Sequence, residues 1–182
     1  MSCQLSGETL QKLIGFHGHN CPGLTIGIRA AEYALNEFKD TDKSDLLCIT
    51  ETDMCGVDAI QFLTGCTFGK GNLLHVDYGK AAFSFYDLNS GKAVRFLLRP
   101  EAKRDKKGDK PDREELQQLL MDKPLEEIFE LTPVDGRAPR RARILESICC
   151  ENCSEETMES RTRRFDGKTL CIPCFLKVEQ KI

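Results

Sequence analysis

The chain has no apolar run long enough to span a bilayer, and Met1 to Glu8 lack both the charged start and the apolar stretch of a secretory signal. These two absences predict a cytoplasmic protein with no membrane partner. A glycine fingerprint for dinucleotides and the cysteine runs of ferredoxins are also missing, so an autonomous hydride- or electron-transfer enzyme would need a cofactor site of another kind. No phosphate loop is present: Gly65 to Gly69-Lys70 is one residue short of one, and neither Ser nor Thr follows Lys70. A net charge of -3 gives no overall attraction to nucleic acid, so any basic patch must be local.

What the chain does have is sulfur. Ten cysteines in 182 residues, in a compartment that keeps thiols reduced, point to metal binding or redox chemistry before structural disulfides. Three donor side chains, His17, His19 and Cys21, fall within five positions of Gly15-Phe16-His17-Gly18-His19-Asn20-Cys21-Pro22-Gly23. Imidazole and thiolate are the ligands of zinc and other borderline-soft metals, and on an extended segment the alternation would put all three on one side. The competing reading is a turn that carries two histidines, because three donors are one short of a closed tetrahedral site.

In chain order, residues 7–15 predict a short helix leading into this loop, and Ile26, Ile28, Ala30, Ala31, Ala34, Leu35 and Phe38 predict a buried helix over 24–39. Its N-terminus would abut Cys21 and favour the thiolate. Leu46 to Thr52 reads as a strand with Cys55 at its end, Val57 to Leu63 as a helix, and residues 64–72 as a tight loop that brings Cys66 near Cys55. Leu73 to Tyr78, Ala81 to Leu88 and Ala93 to Leu98 read as strands, the last two joined by the hairpin signal Asn89-Ser90-Gly91-Lys92. Cys3, Cys48 and His75 are assigned structural roles.

The expected fold class is α+β, with helices packed on a mostly antiparallel sheet. Three segments are expected: a core domain over 1–99, a linker with helices and a basic segment over 100–147, and a zinc domain over 148–182. In the linker Asp112 would cap one helix and Pro124 open another through Ile128 and Phe129. The last segment holds the most specific motif, Cys150-x2-Cys153, seventeen residues, then Cys171-x2-Cys174. This is the spacing of a four-thiolate zinc ribbon or treble clef. With so few apolar residues between the outer cysteines, the metal must supply most of the folding free energy, on the order of 10 kcal/mol.

The run Phe16 to Gly23, with Val57-Asp58-Ala59-Ile60-Gln61 and Gly65-Cys66-Thr67-Phe68-Gly69-Lys70-Gly71-Asn72-Leu73, resembles the FmdE family, named for a component of molybdenum formylmethanofuran dehydrogenase. The resemblance covers roughly residues 10–98. It implies an α+β core, often dimeric, sometimes an added treble-clef module, and a link to one-carbon and molybdenum or tungsten enzyme systems. It places His17, His19, Cys21, Cys55 and Cys66 on the family's motif positions, as candidates for a core metal, zinc by its donor set. The preferred function is an accessory or regulatory metal-binding protein, a homodimer, whose zinc module contacts a protein or a nucleic acid. The alternative is a redox or hydrolytic metalloenzyme using Cys21, Cys66 and Lys70. A third reading, nucleic-acid binding, rests on Arg137, Arg140, Arg141 and Arg143 with Arg161, Arg163 and Arg164.

Overall fold

The computed structural model describes residues 2–105, 107–134 and 138–179. They form two compact units, Met1–Arg141 and Ala142–Ile182. Among the described residues, no helix is long and apolar enough to cross a membrane.

The first unit opens with α1 (Gly7–His17), whose start is set by Ser6, the side chain accepting from Thr9 N, and whose end is set by Gly18 at φ +92°. That left-handed turn is one L-residues avoid. It reverses the chain directly into α2 (Pro22–Glu37), with Cys21 at the N-cap and proline at the first helical position. His17, His19 and Cys21 are therefore spread over a helix end, a turn and a helix cap. The extended arrangement expected from their alternation is not what forms, because α1 continues two residues further than its apolar pattern indicates.

Strand β1 (Leu46–Thr50), helix α3 (Gly56–Thr64) and strand β2 (Leu73–His75) make a crossover that pairs β1 and β2 in parallel. Strands β3 (Ala82–Asp87) and β4 (Ala93–Leu98) form the expected hairpin, and β3 pairs antiparallel with β1. Helix α4 (Arg113–Asp122) begins at Asp112 in a capping box with Glu115, as the sequence indicates. Helix α5 (Leu125–Ile128) is a single turn, and Phe129 starts strand β5 (Phe129–Pro133), not more helix. The sheet order is β2-β1-β3-β4-β5, mostly antiparallel. Because β5 pairs along the whole of β4, the boundary expected at residue 99 lies inside this unit, which runs on to Arg141.

The core lies between the sheet and α2, α3 and α4. Phe83, Phe85, Phe96 and Phe129 are all at most 1% exposed, and Phe96 stacks on Tyr33 of α2. Leu120 and Ile128 are fully buried in the same cluster. The apolar faces of 112–129 are thus covered by the core itself and need no second copy to bury them. Helices α2 and α3 touch backbone to backbone: a Cβ on Gly27 would lie 2.1 Å from Gly56 O.

One ion pair ties the end of β1 to β4. Arg95 donates from Nε and Nη2 to the two carboxylate oxygens of Glu51 at 2.5 and 2.8 Å, and Glu51 is buried. The guanidinium holds the Glu51 carboxyl below its ordinary 4.5. A depressed carboxylate contributes stability above its unfolded value and loses it as pH falls through the folded one. Glu51→Gln should therefore cost about 2 kcal/mol at neutral pH and flatten the loss of stability below pH 4.5. Urea unfolding across pH tests this, and an unchanged acid slope would refute it.

Candidate metal centre

Four donors converge in the first unit. The ligand atoms of His17, His19, Cys21 and Cys55 all lie within 4.8 Å of one another. His17 is the last residue of α1, His19 sits in the turn, Cys21 caps α2 and Cys55 caps α3. Cys55 is thus at a helix start, five residues beyond the end of β1 and not on the strand end expected for it.

The geometry suits a small soft cation. Zinc–sulfur bonds of about 2.3 Å in a tetrahedron place neighbouring donors about 3.7 Å apart. His17 Nε2 is 3.9 Å from Cys21 Sγ. Burial alone would push the Cys21 thiol up, but the Leu24 N–H, the Cys55 thiol and His17 outweigh it and hold Cys21 below its ordinary value. Burial and the neighbouring Cys21 push the Cys55 thiol up. Cys21 is buried, His17 and Cys55 are partly covered, and His19 is exposed, so the cluster meets solvent at His19.

A residue that the sequence does not single out completes the arrangement. His17 Nδ1 lies 2.7 Å from Asp58 Oδ2, contributed by α3 forty-one positions away. The hydrogen bond to Asp58 holds the His17 pKa above its usual 6.5. With Nδ1 turned to a carboxylate, Nε2 is the nitrogen that faces the thiolates, the orientation seen where a carboxylate fixes a metal-binding imidazole. Asp58 lies inside the motif that runs from Val57 to Gln61, but nothing in its spacing marks it as a partner of His17.

Cys66 and Lys70 are not in this cluster. Cys66 is fully buried and its thiol points to Leu46 O at 3.5 Å, while burial pushes its pKa up. Lys70 Nζ donates to Gly65 O at 2.9 Å, closing the C-terminal end of α3. The nine residues of α3 separate both from Cys55, a length of about 13 Å. Cys48 is buried in the core.

The second unit is built on β6 (Ser147–Cys149), β7 (Glu156–Met158), β8 (Thr162–Phe165), β9 (Lys168–Cys171) and α6 (Ile172–Val178). The ligand atoms of Cys150, Cys153, Cys171 and Cys174 also lie within 4.8 Å of one another, and Cys153 and Cys171 sulfurs are 3.9 Å apart. Ser154, at φ +61°, turns the chain so that its N–H reaches Cys150 O at 2.9 Å. Backbone N–H groups of Cys153 and Cys171 bring the Cys150 thiol down to about 6. Asn152 Nδ2 donates to Cys174 Sγ at 3.2 Å. The site fits zinc. Cys149 is exposed and turned towards Ser154 O, outside the set.

Of the basic residues, Arg137 lies outside the described residues. Arg141 pairs with Asp45 at 2.5 Å within the first unit. Arg163 and Arg164 are exposed on β8, and Arg164 also reaches Thr169 Oγ1.

Comparison with known proteins agrees with the four-cysteine geometry of the second unit. The chain is similar to an FmdE-like protein of the tungsten formylmethanofuran dehydrogenase type from Syntrophus aciditrophicus, with 26% identity and a TM-score of 0.70 over 96% of this chain and 93% of that one. It is also 30% identical, over 188 aligned positions and 87% of its length, to a probable S-adenosyl-L-methionine-binding protein of Archaeoglobus fulgidus. The chain spans about half the length of that curated relative, 50%. Residues 143–180 match the prokaryotic dksA/traR C4-type zinc finger, on the four cysteines just described. Residues 16–133, well over half of the sequence, match FmdE, molybdenum formylmethanofuran dehydrogenase operon, and the chain therefore belongs to the FmdE family.

Proposed function

We propose that the protein is an accessory or regulatory metal-binding protein, holding zinc in the core cluster as well as in the C4 finger, and acting beside one-carbon or molybdenum- and tungsten-dependent enzymes. The observation that carries this reading is the convergence of four protein donors in the first unit. Four donors fill a tetrahedral ion, the pattern of holding sites; catalytic zinc keeps a position for water. The structural relative's description supports the enzyme system. The relative named for S-adenosyl-L-methionine adds no substrate, since this chain spans only half of it.

In this reading the C4 finger makes the partner contact, and a protein partner is favoured over nucleic acid. Arg141 is already paired with Asp45, which shortens the basic run that nucleic acid would need. The protein is a homodimer, supported by the family and by exposed Phe16, Met54 and Phe62 beside the cluster, an apolar surface suited to a second copy. A monomeric mass by sedimentation at micromolar concentration would remove the dimer.

The exposure of His19 favours one alternative, a hydrolytic or redox metalloenzyme in which His19 gives way to substrate. When bound, the metal would supply Lewis acidity there. This chain's part would be to hold Cys21 as thiolate and to aim His17 Nε2 through Asp58.

Metal content decides first. The full chain should carry two zinc ions, and the double variant Cys21→Ser, Cys55→Ser should carry one. Asp58→Asn should keep both but weaken the core site roughly 10- to 100-fold in chelator competition. A wild-type chain with a single zinc ion would end the core-site reading.

A further inference from the structure

Cys21 and Cys55 are placed to react with each other as well as to hold a metal. Their sulfurs lie within 4.8 Å of one another, and a disulfide bond of about 2.05 Å would form if each moved by at most about 1.4 Å. The backbone need not follow. Each cysteine stands at the start of a helix, and α2 and α3 are fixed against each other at Gly27 and Gly56. Gly23 keeps the space beside the two side chains open, since a Cβ there would lie 3.2 Å from Cys55 Cβ and within 4 Å of both sulfurs.

Reach separates this pair from two other thiols of the first unit. Cys21 is buried, but Cys55 is only partly covered and His19 of the same cluster is exposed, so a small reagent meets the pair from the solvent side. Cys48 and Cys66 are fully buried in the apolar core.

We propose that Cys21 and Cys55 form a reversible disulfide on exposure to hydrogen peroxide, so that the core site holds its ion only while the pair is reduced. One sulfur attacks a peroxide oxygen, the O–O bond breaks, and that sulfur becomes a sulfenic acid. The other sulfur then displaces the hydroxyl as the S–S bond forms. Two electrons pass from the sulfurs to the peroxide, and the two thiol protons leave in two molecules of water. A disulfide is not the thiolate that ligates metal, so His17 and His19 remain as two donors where a tetrahedral ion needs four. The release step rests on the zinc reading of the cluster; the disulfide itself does not.

The test treats the zinc-loaded full chain, and the same chain after chelation, with hydrogen peroxide. Catalase and N-ethylmaleimide stop the reaction, unreduced peptides are mapped by mass spectrometry, and a chromogenic chelator reads the zinc set free. A Cys21–Cys55 cross-linked peptide, two hydrogens lighter than the sum of its parts, should appear in both samples and vanish with dithiothreitol, while Cys48 and Cys66 stay thiols. The wild type should release more zinc than the double variant Cys21→Ser, Cys55→Ser, whose finger zinc sets the baseline, and should take the excess back after reduction. Absence of the cross-link from both samples, or sulfinic acids at Cys21 and Cys55 in its place, would overturn the disulfide. A cross-link confined to the chelated chain would overturn the release, because a bound ion would then protect the pair. A cross-link in both samples with equal zinc release from wild type and variant would uphold the disulfide and remove the zinc reading.

Discussion

Cys171→Ser is expected to unfold the second unit and to remove one zinc ion per chain, while the sheet of the first unit keeps its own cooperative transition. The reason is the composition of the small core. Its buried residues are Cys150, Leu170, Cys171 and Cys174, with Phe175 packed against them, so three of the four buried positions are metal donors. Serine supplies no thiolate, and the three remaining sulfurs must then either stay close together without charge compensation or separate. Separation also frees the Cys171 N–H, which lies 3.3 Å from Cys150 Sγ and joins β9 to the first knuckle. Hydrogen exchange checks the result directly: amides of β8 and β9 should lose protection in the variant, and equally in the wild type after chelation. If the hairpin stays protected once zinc has left, the edge-on contact of Phe165 with Phe175 holds the unit, and the metal is secondary.

That dependence was legible in the sequence because the spacing of four cysteines is local information: each pair sits on one turn, and the hairpin between them has its own signal at Asp166-Gly167. The core cluster was legible only as a set of donors. His17, His19 and Cys21 are close in sequence, but α1 runs to His17 and α2 starts at Pro22, so their geometry comes from two helix ends and the left-handed Gly18. Choosing between Cys55 and Cys66 needed the length of α3, which carries one to each end. Asp58 could not be paired with His17 by spacing, since the contact is made by packing of α1 against α3. Strand β5 was hidden for a different reason. Phe129-Glu130-Leu131-Thr132-Pro133 is five residues long and ends in proline, a residue tolerated there because β5 is the outer strand of the sheet.

Gly27→Ala is the substitution in the first unit expected to do most damage, and it links the fold to the cluster. A Cβ at Gly27 would lie 2.1 Å from Gly56 O, 2.4 Å from Gly56 Cα and 2.6 Å from Gly56 C, all backbone atoms that cannot rotate away. Helix propensity alone would favour alanine by up to about 1 kcal/mol, but forcing two packed helices apart costs roughly 3 kcal/mol or more. The helices in question carry Cys21 and Cys55 at their N-terminal caps, and a Cβ on Gly23 would lie 3.7 Å from Cys55 Sγ and 3.9 Å from Cys21 Sγ. Moving α3 away from α2 therefore stretches the donor set while it loosens the core. The variant should show a lower urea midpoint for the first unit together with at least about tenfold weaker core-metal binding by chelator competition, as displaced donors lose their geometry. Gly15→Ala is the control, because a Cβ there meets nothing within 4 Å on α1 and should stabilise slightly. Loss of stability with metal affinity intact would mean that the cluster tolerates separation of the helices and is held by α1 and its turn. Loss of both ties the centre to the contact between two glycines, so that the same close approach that packs α3 onto α2 also brings the two thiols within reach of one ion.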